Sequence, residues 1–214
     1  VASEYTRKEL VSKGIPADKI RVLGIPVQEK FTRRWERGEA VRNLGLKEGL
    51  FTVLIIGGGL GVGPIPQMVE KISKTQEPFQ IIVVCGKNEA LRRHIEEITR
   101  GSKTAMKVYG FADNVNELMD ASDVMISKPG GLSISEAMVK GVPVIVNTFI
   151  PGQEENNLMF LEKNGVGVGT KTIAETLDKL EYLFRHKEVL ETMRSKAKQL
   201  GKPSSAGDIA LLVL

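Results

Sequence analysis

Residues 127–138, SKPGGLSISEAM, set a proline and two glycines directly after an apolar run, and place a carboxylate, Glu136, three residues beyond a serine. Gly130 and Gly131 have no side chains, so the backbone there can come close to a bound group. The pattern predicts a helix beginning near Leu132 or Ser133, and the first N–H groups of a helix have no partner inside it. With the helix dipole, those donors favour an anion. A purely local explanation stands beside this one. Ser133-Ile134-Ser135-Glu136 fits the capping box Ser-x-x-Glu, in which Glu136 folds back onto the helix start. A carboxylate touching a phosphate would repel it, so if Glu136 serves a ligand it should meet hydroxyls, such as those of a ribose.

Two further stretches carry residues suited to binding. The run IIGGGLGVGPIP (55–66) follows an apolar segment and opens a helix, a turn type that often carries phosphate on outward-facing N–H groups. Its glycines do not have the two-then-three spacing of the dinucleotide fingerprint, and no Gly-Lys-Ser/Thr follows, so it is not a P-loop. The next apolar run ends in CGKN, where a dinucleotide fold would place an acid for the ribose. A dehydrogenase is therefore disfavoured, and close strand–helix packing without a ligand is the competing explanation of the loop. The third stretch, TFIPGQEENN (148–157), opens a helix with Gln153, Glu154, Glu155, Asn156 and Asn157. That set suits a solvated helix start, and equally a polyol.

The elements that would position these residues are legible as alternating patterns. Apolar runs rich in Val and Ile occur at 51–57, 79–86, 105–111, 123–127, 142–148 and 165–169, with little polar alternation, so they read as strands buried on both faces. Segments 64–74, 88–100, 131–140, 172–185 and 187–200 show helical spacing. Strand and helix in alternation give an α/β, Rossmann-like parallel sheet of about six strands with helices on both faces. All three candidate loops then fall at one edge of the sheet, the edge where such folds bind ligands. Residues 1–28 do not fit that rhythm. SEYTRKELVSKG reads as a helix capped by Ser3, and IRVLGIPV as a short strand leading to a turn; 33–45 reads as another helix. We expect 1–28 to be the tail of a preceding domain with its connector, 29–202 the main domain, and 203–214 a terminal helix.

Composition narrows the classes. The 214 residues, 42% hydrophobic, suffice for one large domain or one and a half small ones. A net charge of +4 suits anionic partners without choosing among them, and aromatics, at 5%, do not alternate with Lys and Arg, which argues against nucleic acid. The single Cys85, inside QIIVVCG, reads as core and fits a reducing compartment, hence a cytoplasmic location. No apolar run nears the ~20 residues that span a bilayer. Residues 30–47 combine Lys30, Arg33, Arg34, Arg37, Arg42 and Lys47 with Phe31 and Trp35. They are either a solvated helix or a segment lying on an anionic membrane surface. There is no Asp-x-Asp pair and no His/Cys/Asp cluster with metal spacing, so neither a metal nor another cofactor is expected. His94 and His186 fall on charged helical faces and read as surface residues.

Taken together, GFADNVNELMDASDVMISKPGGLSISEAMVKGVPVIV and IPGQEENN resemble the donor-binding, C-terminal half of GT-B glycosyltransferases of family 28. That group includes monogalactosyldiacylglycerol synthases and processive diacylglycerol glucosyltransferases. VASEYTRKEL, GIPADKI and VLGIPV resemble its interdomain segment. The resemblance implies an inverting transfer of hexose from UDP-glucose or UDP-galactose to diacylglycerol or a glycolipid. It also implies roles for residues. The backbone at Phe111 and Ala112 would take the uracil, and Glu136 the ribose. The N–H groups of Gly131, Leu132 and Ser133 would take the diphosphate, and Gln153, Glu154 and Asn157 the sugar. The glycine loop Gly57, Gly58, Gly59 and Gly61 would line the cleft, although Leu60 stands where many relatives are polar. An acceptor domain carrying the catalytic base would precede residue 1, leaving this chain inactive alone. Two alternatives remain: a non-catalytic nucleotide-sugar-binding subunit, and the lipid-linked GlcNAc transferase of peptidoglycan synthesis, which resembles this chain less because its third motif lacks the Pro-Gly-Gln-Glu form.

Overall fold

The computed structural model describes residues 1–61 and 63–214; Val62, within the glycine-rich run, lies outside them. The chain runs α1 (Glu4–Ser12), α2 (Arg37–Asn43), β1 (Phe51–Ile56), α3 (Ile65–Ser73), β2 (Phe79–Val84), α4 (Glu89–Arg100), β3 (Met106–Tyr109), α5 (Val115–Asp120) and β4 (Val124–Ser127). It continues through α6 (Gly131–Lys140), β5 (Val144–Val146), α7 (Gln153–Lys163), β6 (Gly167–Gly169), α8 (Ile173–Arg185), α9 (Lys187–Leu200) and α10 (Ser205–Val213). Each of the six apolar runs forms a strand. All are parallel, in the order β3-β2-β1-β4-β5-β6.

Both sheet faces are covered. Leu54, Ile56, Met125 and Val146 point toward α2, α5, α6 and α7, against Val41, Leu118, Ala137 and Leu161. Their strand neighbours Val53, Ile55, Ile126 and Ile145 point the other way, against Met68, Ile72, Ile95, Leu180 and Leu190 of α3, α4, α8 and α9. This is why the strands show no polar alternation. Phe51 and Phe79, at the strand starts, pack edge-on or tilted with Phe184 of α8 at centroid distances of 5.3–5.6 Å. Such pairs add about 0.5–1.5 kcal/mol beyond burial. Near the same edge Asp123 accepts hydrogen bonds from Arg37 (2.6 Å), Arg194 (2.8 Å) and the Thr52 N–H (2.7 Å), tying α2, α9 and β1 together.

The N-terminal expectations hold in part. Ser3 Oγ accepts the Thr6 N–H and caps α1, as its position predicts. IRVLGIPV, read as a strand, forms none: the Leu23 and Gly24 N–H groups both donate to the carbonyl of Val1, at 3.1 and 3.2 Å, and no ladder continues. The helix expected over 33–45 is confined to Arg37–Asn43, preceded by one 3-10 turn, Glu29–Phe31. α5, which no spacing argument had singled out, is only six residues long. Gly24 passes against Lys202, whose Cβ is 2.8 Å from where a Cβ on Gly24 would sit, so the chain's two passages between its terminal segments and the sheet run side by side. Among the described residues no helix is long and apolar enough to cross a membrane.

Candidate functional site

In this strand order, β1 and β4 are neighbours whose onward connections turn to opposite sides of the sheet. The crevice between them, beyond their C-terminal ends, is the switch point where ligands bind in open parallel sheets. The β1–α3 glycine loop and the β4–α6 loop border it.

α6 begins at Gly131, with Gly130 as its N-cap and no side-chain cap. The capping-box expectation fails on register. Ser133 is the third residue of the helix, Glu136 lies in its second turn, and the two do not form the reciprocal pair. Ile134 N–H reaches the Gly130 carbonyl (3.0 Å), but the N–H groups of Gly131, Leu132 and Ser133 have no protein acceptor among the described residues. Pro129 helps to expose them: lacking an N–H and fixing φ, it sits in a tight turn in which Gly130 N–H bonds to the Lys128 carbonyl at 2.9 Å. Leu132 is 53% exposed, so its side chain does not plug the turn.

Glu136 is half-buried and has no hydrogen-bond or ion-pair partner among the described residues. Burial pushes its carboxyl up to about 7, against a smaller pull from the charge of Lys30. A sheltered, unpartnered carboxyl is costly to retain unless a ligand satisfies it. Lys30, in the Glu29–Phe31 turn, also donates to the Asp113 carbonyl at 2.7 Å. It is thereby tied to the loop that carries Phe111 and Ala112. Phe111 is 66% exposed, while Ala112 packs partly into the core beside α5. The sequence had pointed to Lys30 only as part of a basic segment. Its role here joins positions 83 residues apart, which no local pattern encodes. Within the rest of that segment Arg34 donates to the Val139 carbonyl, Arg37 pairs with Asp123 and Phe31 is buried, whereas Arg33 and Arg42 make exposed pairs with Glu29 and Glu48 and Trp35 stays exposed.

The glycine loop divides in two. Gly57 and Gly61 are there for packing: a Cβ on Gly57 would lie 2.6 Å from Ile65 Cδ1, and one on Gly61 (φ +61°) 2.6 Å from the Cys85 carbonyl. At Gly58 and Gly59 the space beside the α-carbon is largely open. Among the described residues a Cβ on Gly59 would meet nothing within 4 Å, and one on Gly58 would meet only Lys128 Cε, at 3.3 Å. Leu60, at the tip, is 74% exposed. Cys85 lies beneath, fully buried, its thiol pushed up to about 11 by burial, so it is inert core as expected.

α7 completes the rim. Asn157 Nδ2 donates to the Pro129 carbonyl (2.8 Å), and Glu154 Oε1 accepts from Lys128 Nζ (2.7 Å), so two of the three residues expected to face a sugar brace the β4–α6 loop. Glu154 Oε2 accepts the Ile150 N–H at 2.9 Å. Burial works to raise this carboxyl, and the hydrogen bonds and charge of Lys128, with the Ile150 amide, more than offset it, holding it below its ordinary value. Gln153, the third, is exposed and unbonded among the described residues, and Glu155 turns back to the Gly152 N–H instead. Ile25, from the extended N-terminal segment, reaches within 3.0 Å of a Cβ position on Gly131.

A six-stranded parallel sheet in this order, with helices on both faces, is a doubly wound, Rossmann-like α/β fold. Known proteins narrow that class. The model for the glycosyltransferase family 28 C-terminal domain matches residues 52–209. A processive diacylglycerol beta-glucosyltransferase of Bacillus mycoides (strain KBAB4) is 33% identical over 215 residues, covering 100% of this chain and 55% of that protein. Among solved structures, Acinetobacter baumannii MurG superposes with a TM-score of 0.74 at 17% identity, over 99% of this chain and 63% of the other. Anabaena Alr3699/HepE in complex with UDP-glucose gives 0.67 at 19%, over 100% and 62%. The chain belongs to glycosyltransferase family 28, matching that family's C-terminal domain; it spans about half the length of the curated relatives it matches.

Proposed function

We propose that this chain binds the donor in an inverting glycosyltransferase that moves a hexose from UDP-glucose or UDP-galactose to diacylglycerol or a glycolipid. One observation carries the proposal: among the described residues, three adjacent N–H groups, Gly131 to Ser133, lie unpaired at the switch point, on the same helix as a half-buried carboxyl without a partner. The amides suit a diphosphate. Glu136 is placed to accept from ribose hydroxyls, and the backbone at Phe111 and Ala112 to meet the uracil. Glu154, Asn157 and Gln153 would form the sugar's side of the cleft. The diacylglycerol acceptor is favoured over the lipid-linked GlcNAc transferase reading by the relative at 33% identity, which is named for that acceptor.

In the reaction, the acceptor oxygen bonds to the sugar's anomeric carbon as the bond to the diphosphate breaks. The electron pair leaves with UDP, and the acceptor proton passes to a base we place outside residues 1–214, so these residues alone bind donor without transfer. The fixed amides of α6 stabilise the charge that grows on the leaving oxygens. No resident metal or other cofactor is required in this scheme, and contact with the membrane is peripheral, on its cytoplasmic side. Calorimetric titration with UDP, UDP-glucose and UDP-galactose tests the proposal. We expect saturable binding of UDP that persists in EDTA and is lost in large part in Glu136→Ala. Absence of UDP binding, or equal binding of NAD, would refute it.

A further inference from the structure

We propose that Lys128 is a movable cation for the donor's diphosphate, and that Glu154 is the latch that holds it aside until a hexose arrives. The inference rests on the donor-site reading above and adds to it a mechanism joining the two ends of the donor.

Lys128 follows β4 directly and precedes the free amides of α6 by three residues, so its charge and those donors belong to one short connection. Its side chain crosses the mouth of the crevice over the glycine loop. Its Cε lies 3.3 Å from a Cβ position on Gly58, so a side chain there would obstruct it. The ammonium ends 2.7 Å from Glu154 Oε1, with the Lys128 side chain 35% exposed and that of Glu154 14% exposed. Lys128 makes no other side-chain hydrogen bond among the described residues, although an ammonium carries three donors. Glu154 is differently placed: its second oxygen is anchored to the Ile150 N–H, so the carboxylate is fixed and the lysine is the mobile partner.

A fixed carboxylate is a good acceptor for hydroxyls, and a mobile ammonium beside a dianionic diphosphate has a stronger attraction than one carboxylate offers. The diphosphate draws Lys128 away, which would leave Glu154 charged and largely sheltered from water. Hexose hydroxyls then donate to Glu154 and compensate it. Nucleotide and sugar thus assist one another through a single exchanged ion pair, and such coupling is reciprocal. No bond to Lys128 forms or breaks, and it keeps its proton throughout, donating hydrogen bonds to the oxygens that gain charge.

The test is calorimetry of UDP and of UDP-glucose on the wild-type chain, Glu154→Gln, Lys128→Met and the double variant, with thermal melts confirming that each is folded. Glu154→Gln keeps the side chain's shape but releases the lysine. We expect it to bind UDP about fivefold tighter, the equivalent of roughly one exposed-to-half-buried ion pair. UDP-glucose should at the same time lose its advantage over UDP. Lys128→Met should weaken UDP about tenfold, and adding Glu154→Gln to it should change nothing further. A merely structural Glu154 predicts weaker binding in Glu154→Gln, so unchanged or weakened UDP affinity there overturns the latch, as does equal tightening in the double variant. Wild-type protein that fails to bind UDP overturns the donor-site reading and the latch with it. Wild-type binding without Lys128-dependent tightening overturns the latch alone.

Discussion

At the scale of the residue, Glu136 carries the sharpest expectation, because the environment that suits it to a ligand also disfavours it in the empty protein. Its carboxyl is raised to about 7 by burial, so between the ordinary carboxylate range and pH 7 the folded state holds a proton that the unfolded state has released. Stability therefore falls as pH rises through that window. Glu136→Gln should remove this slope and, at pH 8, raise the melting temperature by about 2–4 °C, for roughly 1 kcal/mol after screening of a partly open group. Binding has the opposite sign. UDP-glucose, a diphosphate diester with no proton to gain there, should bind wild type about tenfold more tightly at pH 8 than at pH 6, since the ionised carboxylate accepts from hydroxyls more strongly than the protonated carboxyl does. In Glu136→Gln it should bind weakly and with little pH dependence. The sequence singled out this residue as a ribose candidate and also offered it as half of a capping box. Ser133 and Glu136 have the right spacing for that box. What the spacing does not reveal is that the helix starts two residues before Ser133, because Gly130 takes the N-cap position itself. Likewise Glu154 and Asn157 could be singled out as polar, whereas their hold on Lys128 and Pro129 depends on how α7 lies against α6.

At the scale of the element, the two edges of the sheet are built for opposite purposes. On the edge where the strands begin, three donors from three elements, Arg37, Arg194 and the Thr52 N–H, converge on the Asp123 carboxylate. Asp123→Ala should cost about 3 kcal/mol in urea unfolding, since it strands sheltered guanidinium groups, while UDP affinity in the folded variant stays unchanged. On the opposite edge the glycine loop serves packing at some positions and access at others. Gly61→Ala should destabilise by about 1–3 kcal/mol, because φ is +61° and the added carbon meets the Cys85 carbonyl at 2.6 Å. Gly59→Ala meets no neighbour among the described residues and should leave stability within about 0.5 kcal/mol. The strands were the most legible part of the chain, because a parallel sheet buried on both faces leaves unbroken runs of Val and Ile. α5 escaped notice because six residues hold fewer than two turns, too few for periodicity to show. IRVLGIPV looked like a strand on composition, but strand character depends on a neighbouring ladder, and from Arg21 onward its backbone meets just one residue among the described ones, Val1, whose ammonium donates to the Arg21 carbonyl and whose carbonyl accepts from Leu23 and Gly24.

At the scale of the whole molecule, the ligand should behave as part of the fold. With UDP at about one hundred times its dissociation constant, stability should rise by about 2.7 kcal/mol, which for a chain of this size means roughly 5–10 °C in a thermal melt. NAD at the same concentration should give no comparable shift. What could be read in advance at this scale was the doubly wound class and the edge that carries the loops. The strand order, and hence which two loops face each other across the crevice, follows from long-range pairing that no single stretch of sequence contains.

The bare start of α6 has a consequence for how the empty protein moves. Most helices carry their own first-turn acceptor; this one begins on glycine, with nothing of its own to hold three amides. Its opening turn should therefore fray on its own, shedding amide protons to solvent faster than the turns behind it, and tighten only when an anion supplies the missing acceptor. The nucleotide then closes a gap in the secondary structure as well as filling a cleft.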